Sequence, residues 1–383
     1  MKAIVNGRIL LPDREETGKA LLFDEKIIGL TDPAEVPCDE IINAGGAYVS
    51  PGLIDTHIHG YRGADASDGE PDGLRSMAEQ LTENGVTAFL PTTMTVSGEE
   101  IRKAFRTIRY MKDESRKPGF RGAEILGCHA EGPFINPTRK GAQAEDNICL
   151  PDAGMMLEFR DVVRILTFAP EMPGAVRMMD TIRRKSGMVL SIGHTDADYD
   201  QTLQAMQRGA ARFTHLFNAM PPLHHRHPGP VGAALASNAW TELIADGFHV
   251  HPGLFSMLHR VKGNRLVLIT DCVRAGGMPD GEYTLGGQLF SLQGVACRMR
   301  DGTIAGSVLR LNRAVKQYRD AAEIPMHEAV RAASLNAAES VGLENTKGSL
   351  LPGRDADITI MNENCDVICT IVRGRICYGL KKI

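Results

Sequence analysis

The sequence predicts an α/β fold, a TIM-type (β/α)8 barrel with a small β-sandwich domain formed from both chain termini. Eight short apolar runs occupy the middle of the chain, and helix-like stretches such as GLRSMAEQLTENG separate them, which indicates parallel strands with crossover helices. Polar side chains end nearly every run, as at a barrel mouth, so a barrel is favoured over a doubly wound sheet. The runs are LIDTHIH, TAFLPTT, EILGCHAEG, RILTFAP, MVLSIGH, RFTHLFN, TELIADGFHV and RLVLITD.

Both ends of the chain are rich in β-strand signals. AIVNGRIL carries an Asn-Gly turn, and ADITIMNENCDVICTIVRGRICYG alternates β-branched residues with turn residues. We therefore expect residues 1–50 and 350–383 to form the small β domain and residues 51–349 to form the catalytic barrel. YTLGGQLFSLQGVACRM, which follows the eighth run, predicts a β excursion before the last helices.

The bulk composition excludes several classes of partner. The 383 residues are 43% hydrophobic and 23% charged, with a net charge of −4 and no run of lysine or arginine. This balance gives no electrostatic support for binding nucleic acid or a membrane surface. No secretory signal or transmembrane span is visible, and the eight cysteines, from Cys38 to Cys377, form no CxxC pair. We expect a cytoplasmic protein whose cysteines are small buried hydrophobes.

A histidine pair ends the first predicted barrel strand. His57 and His59 are two residues apart, so on a strand both imidazoles face the same side. An HxH pair alone is a weak signal, but here further ligand candidates end later strands. Glu131, His194 and His215 would supply three protein ligands and leave a fourth position for water, as in a catalytic metal site. The sequence thus predicts a metal-dependent hydrolase.

Asp271 ends the eighth run and is the candidate for proton transfer. A carboxylate near an activated water can accept its proton and later pass it to a leaving amine. The alternative is an acid that only orients a ligand histidine. A non-catalytic sensor or a closed structural metal site is disfavoured, since a binder needs no general base and structural sites use four protein ligands.

A second group of polar residues follows the sixth and seventh runs. Arg226 and the histidines around it lie in the loop PPLHHRHPGP, and His249 lies in ADGFHVHP. Arginine, histidine and backbone N–H groups at one mouth suit a phosphate or a carboxylate. Binding of extra metal, or a merely polar surface, is the alternative for this loop.

The motifs HxH, HAEGPF, GHT, THLFNAM, ADGFHV, TDC and AGSVL occur in this order. With them, essentially the whole chain resembles the amidohydrolase superfamily, and within it the N-acetylglucosamine-6-phosphate deacetylases. The resemblance implies hydrolysis of the acetamide of N-acetyl-D-glucosamine 6-phosphate to glucosamine 6-phosphate and acetate. The galacto epimer, or another amidohydrolase reaction on a cyclic amide, is the alternative.

The resemblance also implies roles for individual residues. Glu131, His194 and His215 match the ligands of the principal metal. His57 and His59 match the positions that hold a second metal in some members, so one or two divalent ions per subunit, zinc or ferrous iron, are expected. Asp271 matches the general base and acid.

The remaining matches concern the substrate. Asn218 and Ala219 match residues that contact the sugar phosphate, and His249 matches a substrate-binding histidine. Arg226 matches an arginine that reaches the phosphate in a neighbouring subunit, which implies a homodimer. Gln143 stands where some members carry a histidine near the substrate carbonyl.

Overall fold

The computed structural model describes residues 1–36 and 40–379. Seven short strands come first along the chain. They are β1 (Lys2–Val5), β2 (Arg8–Leu10), β3 (Glu15–Glu16), β4 (Ala20–Phe23), β5 (Ile27–Thr31), β6 (Glu40–Asn43) and β7 (Tyr48–Pro51). The turn between β1 and β2 places Asn6 at φ 55, in the left-handed region that asparagine tolerates better than most residues. The Asn-Gly turn expected from the sequence is therefore present.

The barrel strands and their helices follow. They are β8 (Leu53–Ile58), the hairpin β9 (Gly60–Tyr61) and β10 (Ala64–Asp65), α1 (Pro71–Leu81), β11 (Val86–Thr93), α2 (Gly98–Glu114), β12 (Glu124–Ile125), β13 (Cys128–Glu131), α3 (Ala153–Leu157), β14 (Val163–Phe168), α4 (Ala175–Lys185), β15 (Val189–Ile192), α5 (Tyr199–Gln207), β16 (Ala210–Phe213), α6 (Gly229–Leu235), β17 (Trp240–Ile244), α7 (Phe255–Lys262) and β18 (Leu266–Ile269). The parallel sheet runs in the order β8, β11, β13, β14, β15, β16, β17, β18, with β12 beside β11. All eight predicted strands are present, and the TIM-type barrel is confirmed.

The barrel closes at the end of β18, where the chain pairs with the end of β8. Asp271 N donates to the carbonyl of His57 at 2.9 Å, and His59 N donates to the carbonyl of Cys272 at 2.8 Å. Closure therefore places the HxH pair and the predicted general base side by side. The third predicted strand is divided into β12 and β13 at Gly127, where a Cβ would lie 2.6 Å from the carbonyl oxygen of Val162.

Helix α2 shows how the crossover helices cover the barrel. Ser97 Oγ accepts from Glu100 N and the Glu100 carboxylate accepts from Ser97 N, so a capping box begins the helix. Ile101, Phe105 and Ile108 recur at helical spacing and are fully or almost fully buried. Burial of this stripe against the sheet stabilises the helix more than its intrinsic propensity does.

An antiparallel excursion follows β18. It consists of β19 (Gly281–Leu285), β20 (Gln288–Gln293) and β21 (Ala296–Met299). Gln288 Nε2 in this excursion donates to the carbonyl of Ala142 at 2.9 Å, across the barrel mouth. The predicted β excursion is therefore present, and it lies against the loop that follows β13.

The chain ends with α8 (Leu311–Ala322), α9 (Met326–Ala332), α10 (Leu335–Glu339), β22 (Ile358–Met361), β23 (Val367–Val372) and β24 (Arg375–Gly379). One terminal sheet has the order β5, β4, β1, β6, and the other has the order β24, β23, β22, β7, β2, β3. Ile4 and Phe23 from the first sheet pack in one apolar cluster with Val49, Ile358 and Ile371 from the second. The β-sandwich formed from both termini is confirmed, while its limits at residues 50 and 350 stay a prediction.

The seven described cysteines are free thiols, as expected. Five of them are buried, but Cys149 is exposed and Cys377 is half-buried, so the expectation of burial fails at these two positions. Cys38 lies outside the described residues. No helix within residues 1–36 and 40–379 is long and apolar enough to cross a membrane.

A buried ion cluster joins the barrel to the segment that enters β22. Lys347 Nζ lies 2.8 Å from carboxylate oxygens of Glu124, Asp355 and Asp357, and its side chain is only 3% exposed. Burial alone would lower the pKa of Lys347, but the carboxylates of Asp357, Glu124 and Asp355 raise it well above its ordinary value. The lysine therefore stays charged and compensates three acids.

We predict that Lys347→Met destabilises the fold by about 3–5 kcal/mol, because buried Asp357 loses its cation and Glu124 and Asp355 keep only the half-exposed Arg116 and Lys26. Urea unfolding at neutral pH measures the loss. Lys26→Met is the matched control: Lys26 also pairs with Asp355, at 2.7 Å, but is 53% exposed, so its loss should change stability by no more than about 1 kcal/mol. Equal effects of the two substitutions would contradict the structural role of the cluster.

Candidate metal and substrate site

Five titratable side chains meet at the C-terminal mouth of the barrel. His57 lies in β8, Glu131 ends β13, and the other three directly follow β15, β16 and β18. All five are at least nine-tenths buried. These five residues are His57, Glu131, His194, His215 and Asp271. A sixth, His59, directly follows β8 and contacts the same group.

Glu131 is the centre of this group. Its Oε1 lies 3.0 Å from Nε2 of His215, 3.2 Å from Nε2 of His194 and 3.3 Å from Nε2 of His57. Its Oε2 lies 3.2 Å from Nε2 of His59. The two carboxylate oxygens thus face different histidines, and between them they contact both the HxH pair and the histidines of the later strands.

In two of these histidines, His59 and His194, the far ring nitrogen is held by the backbone. The Nδ1 of His59 lies 3.1 Å from the carbonyl of Thr92, and the Nδ1 of His194 lies 2.9 Å from the carbonyl of Arg139. A carbonyl only accepts, so each Nδ1 carries a hydrogen, and Nε2 is the nitrogen left to bind a metal in place of a proton. This tautomer is the one that a metal ligand requires.

Asp271 lies on the HxH side of the group. Its Oδ1 is 3.2 Å from Nε2 of His59 and 3.4 Å from Nε2 of His57. The two histidines therefore face one point, as their spacing on the strand predicts. Asp271 also lines the cavity, which puts its carboxylate in contact with the space that a substrate would occupy.

The donor set fits a divalent cation. Two groups of three ligand atoms, one from His57, His59 and Asp271 and one from Glu131, His194 and His215, each lie within 4.8 Å of one another. Buried His57 Nε2 has no hydrogen-bond partner among the described residues. Imidazole with carboxylate suits zinc or ferrous iron.

The electrostatics of the group point the same way. Burial alone would lower the pKa of His59, but hydrogen bonds and charges from Asp271 and Glu131 raise it to about 10. The carboxylates of Glu131, Glu242 and Asp271 likewise overcome burial and raise the pKa of His57. The group therefore favours positive charge, which a cation supplies as well as a proton does.

Several site residues adopt backbone conformations that side chains rarely take. φ is 48° at His194, 30° at His215, 51° at Ala219 and 51° at Asp271. Such left-handed residues are uncommon and persist where the surrounding structure holds them, often at functional sites. Here they turn the chain sharply at the strand ends and direct these side chains into the mouth.

A cavity of about 240 Å³ opens above the ligand group. This volume suits a small molecule, since it is below the ~300–1,000 Å³ of typical drug-sized pockets. The predicted residues Gln143, Asn218, Ala219 and His249 all line it. The carboxylate of Asp246 accepts the backbone N–H of His249 at Oδ1, and its Oδ2 lies 2.6 Å from Nδ1 of His249. These two contacts fix the orientation of the imidazole.

Gln143 lies beside the metal ligands and is held at both ends of its amide. Thr95 N donates to its Oε1 at 2.6 Å, and its Nε2 donates to Oε2 of Glu131 at 2.6 Å. The orientation of the amide is therefore fixed. Gln143 orients Glu131 as well as facing the cavity, a contact that its sequence position did not predict.

Arg226 is the one predicted site residue that lies apart from both the ligand group and the cavity. It is exposed, its guanidinium contacts Nε2 of His225 at 2.8 Å, and it lines a separate surface depression together with Arg139 and Tyr199. Within one chain, the structure thus does not bring Arg226 to the ligand group. The loop of histidines around it is exposed as well.

Sequence reasoning missed two sets of residues. Leu285 in β19, together with Thr303 and Ile304 beyond β21, lines the cavity, although the excursion carried no chemical motif. Arg212 and Glu242 are fully buried below the ligands, and the signal for them was present: a charged residue inside an apolar strand demands a partner.

Comparison with known proteins gives concordant results. The N-acetylglucosamine-6-phosphate deacetylase of Bacillus subtilis (strain 168) is 39% identical over 356 residues, which cover 91% of this chain and 89% of that protein. The N-acetylgalactosamine-6-phosphate deacetylase of Escherichia coli O157:H7 is 35% identical over 361 residues, covering 93% and 94%.

A solved structure agrees with these relatives. The crystal structure of N-acetylglucosamine-6-phosphate deacetylase from Pasteurella multocida matches with a TM-score of 0.92 and 29% identity, over 98% of this chain and 99% of that one. The amidohydrolase family model matches residues 48–377, which include every predicted ligand. The chain therefore belongs to the amidohydrolase family.

Proposed function

We propose that the chain is an amide hydrolase that converts N-acetyl-D-glucosamine 6-phosphate and water to D-glucosamine 6-phosphate and acetate. The observation that carries the proposal is the carboxylate of Asp271, which faces the cavity 3.2 Å from His59 and beside the ligand group. The choice of substrate is supported by the B. subtilis and P. multocida relatives, which are named for this activity.

We assign the principal metal to Glu131, His194 and His215, and a second to His57 and His59, with one or two ions per subunit. A divalent ion held there makes water more acidic and polarises a carbonyl oxygen. Zinc and ferrous iron both suit this donor set. Glu131 contributes to both groups, because its two oxygens face different histidines.

Asp271 moves the proton in this proposal. Its carboxylate accepts one proton from water while the water oxygen bonds to the acetamide carbon. The same carboxyl then gives that proton to the amine nitrogen as the carbon–nitrogen bond breaks. Gln143 faces the same space and, through its bond to Glu131, keeps that ligand in place.

The rest of the substrate is bound away from the reacting bond. We assign the sugar phosphate to Asn218, Ala219 and His249, and binding energy there orients the acetamide. We propose that Arg226 completes the phosphate site of a neighbouring subunit in a homodimer, because its own cavity lies out of its reach. The free cysteines suit a reducing compartment, and we propose the cytoplasm.

One alternative substrate remains within the same chemistry. The E. coli relative named for the galacto epimer is 35% identical to this chain, a value close to the 39% of the B. subtilis protein. The two sugars differ in the orientation of a single hydroxyl, so the same metal ligands and the same proton transfer by Asp271 would hydrolyse either acetamide.

The first test measures acetate release from N-acetylglucosamine 6-phosphate, its galacto epimer and unphosphorylated N-acetylglucosamine. We expect rapid release from the phosphorylated gluco sugar, loss of activity after chelation, and recovery with Zn²⁺ or Fe²⁺. Preference for the galacto epimer would change the substrate and keep the mechanism. Absence of release from all three, with metal bound, would overturn the proposal.

We predict that Asp271→Asn lowers kcat by about 10²–10⁴-fold, because an amide cannot take up the proton of water. Metal content, measured by elemental analysis, should stay at the wild-type level. Asp161→Asn, a change on the surface where Asp161 pairs with Arg109, is the control and should keep full activity. Turnover of Asp271→Asn near the wild-type rate would remove Asp271 from the mechanism.

Mixed dimers test the role of Arg226 in the neighbouring subunit. We predict that Arg226→Ala subunits and Asp271→Asn subunits are each nearly inactive, whereas heterodimers of the two regain activity. In such a heterodimer, the subunit with an intact Asp271 receives Arg226 from the other subunit. Heterodimers without regained activity would show that Arg226 does not act across the interface.

A further inference from the structure

A buried ion pair lies inside the barrel, directly below the proposed metal ligands. Arg212 in β16 and Glu242 in β17 are both 0% exposed, and Nε of Arg212 donates to Oε1 of Glu242 at 2.9 Å. Such pairs contribute little net stability, because desolvation of the two charges offsets their attraction. Apolar residues can often replace such a pair without loss of stability, so the contacts of the pair indicate its role.

The second oxygen of Glu242 contacts a residue from each ligand group. Its Oε2 lies 3.0 Å from Nδ1 of His57 and accepts the backbone N–H of His215 at 3.0 Å. A carboxylate only accepts, so the hydrogen of His57 lies on Nδ1 and its Nε2 faces Glu131 and Asp271. The carboxylate of Glu242 thus orients the His57 side chain on β8 and holds the backbone turn at His215, after β16.

Arg212 fixes the orientation of that carboxylate. Its Nη2 donates to Oγ1 of Thr56 at 2.6 Å, and its Nη1 donates to Oγ of Ser340. Thr56 is the residue before His57, so the guanidinium contacts the same strand that carries the HxH pair. With Oε1 held by Arg212, only Oε2 of Glu242 is available to the ligands.

His129, the other group beside this pair, does not replace Glu242 as the acceptor. Its ring centroid is 4.5 Å from that of His57 in an edge-to-face contact. Its Nδ1 lies 3.1 Å from the carbonyl of Thr56, and its Nε2 lies 2.7 Å from Oγ1 of Thr167. Both ring nitrogens are engaged, so His57, His129 and Glu242 are a hydrogen-bonded packing group and do not form a third metal site.

We propose that Arg212 and Glu242 are positioning residues of the metal centre, which hold His57 in its ligating tautomer and His215 in its strained turn. This inference rests on the proposed function, since it takes His57 and His215 as ligands. Because Glu242 contacts both ligand groups, loss of its oxygen weakens both ion positions together. Supporting residues of this kind typically change metal affinity by about 10–100-fold.

Two double variants separate positioning from structural support. Arg212→Met with Glu242→Leu removes both charges and leaves no acceptor for His57. Arg212→Met with Glu242→Gln also removes both charges, but its amide oxygen still accepts from His57 Nδ1 and His215 N. The two variants therefore differ chiefly in the hydrogen-bond acceptor.

The probe is Zn²⁺, titrated into metal-free protein against a competing chelator, with Co²⁺ absorption as a spectroscopic readout of ligand geometry. We expect the Leu variant to bind Zn²⁺ about 10–100-fold more weakly than wild type and to show an altered Co²⁺ spectrum. The Gln variant should bind within a few fold of wild type. Equal affinity in both variants would overturn the proposal.

Two further measurements guard this result. Lys347→Met, a buried charge far from the ligands, should lose stability without any change in Zn²⁺ affinity, so general destabilisation is excluded as the cause. Histidine ¹⁵N NMR of the wild-type zinc protein needs no variant to fold, and it should show the His57 hydrogen on Nδ1. A hydrogen on Nε2 would contradict the proposal, whereas wild-type protein that binds no Zn²⁺ would overturn the metal centre itself.

Discussion

The carboxylate of Glu131 is the interaction on which the rest of the site depends. It is buried among four imidazole Nε2 atoms within 3.3 Å, where its charge has little solvent to stabilise it. Such a group is stable only with positive charge beside it, and its four imidazole neighbours come from the ends of three separate strands, β8, β15 and β16. Gln143 and His59 contact one carboxylate oxygen, while His57, His194 and His215 surround the other, so the two sides of the carboxylate stay distinct.

The barrel makes this convergence possible because its strands end at a common mouth. Two features turn that general property into a specific centre. The chain takes left-handed conformations at His194, His215 and Asp271, which bring their side chains inward. Hydrogen bonds to backbone carbonyls or to Glu242 direct Nε2 of His57, His59 and His194 toward the centre. The fold itself therefore directs these side chains to one point.

Much of this arrangement was predictable from sequence. Each barrel strand carries a local apolar pattern, and HxH spacing alone places two imidazoles on one face of a strand. The Arg212–Glu242 pair was not predicted, because Glu242 and His57 are 185 residues apart and only barrel closure brings them together. Thr303 and Ile304 were not predicted for the same reason: nothing in their local sequence marks them, and they line the cavity only because the excursion folds over the barrel mouth. Arg226 shows the opposite limit, since its motif is recognisable while the single chain leaves the residue exposed and apart from the cavity.

The two walls of the cavity come from segments outside the barrel strands. One is the loop after β13, which carries Ala142 and Gln143, and the other is the β19–β21 excursion, tied to it by Gln288. The reacting centre and the shape of the space above it are thus encoded in separate stretches of chain. Changes in the walls can alter which molecule fits while the candidate ligands and Asp271 stay unchanged. A single hydrolytic centre can in this way diversify among related amides through substitutions that never touch its chemistry.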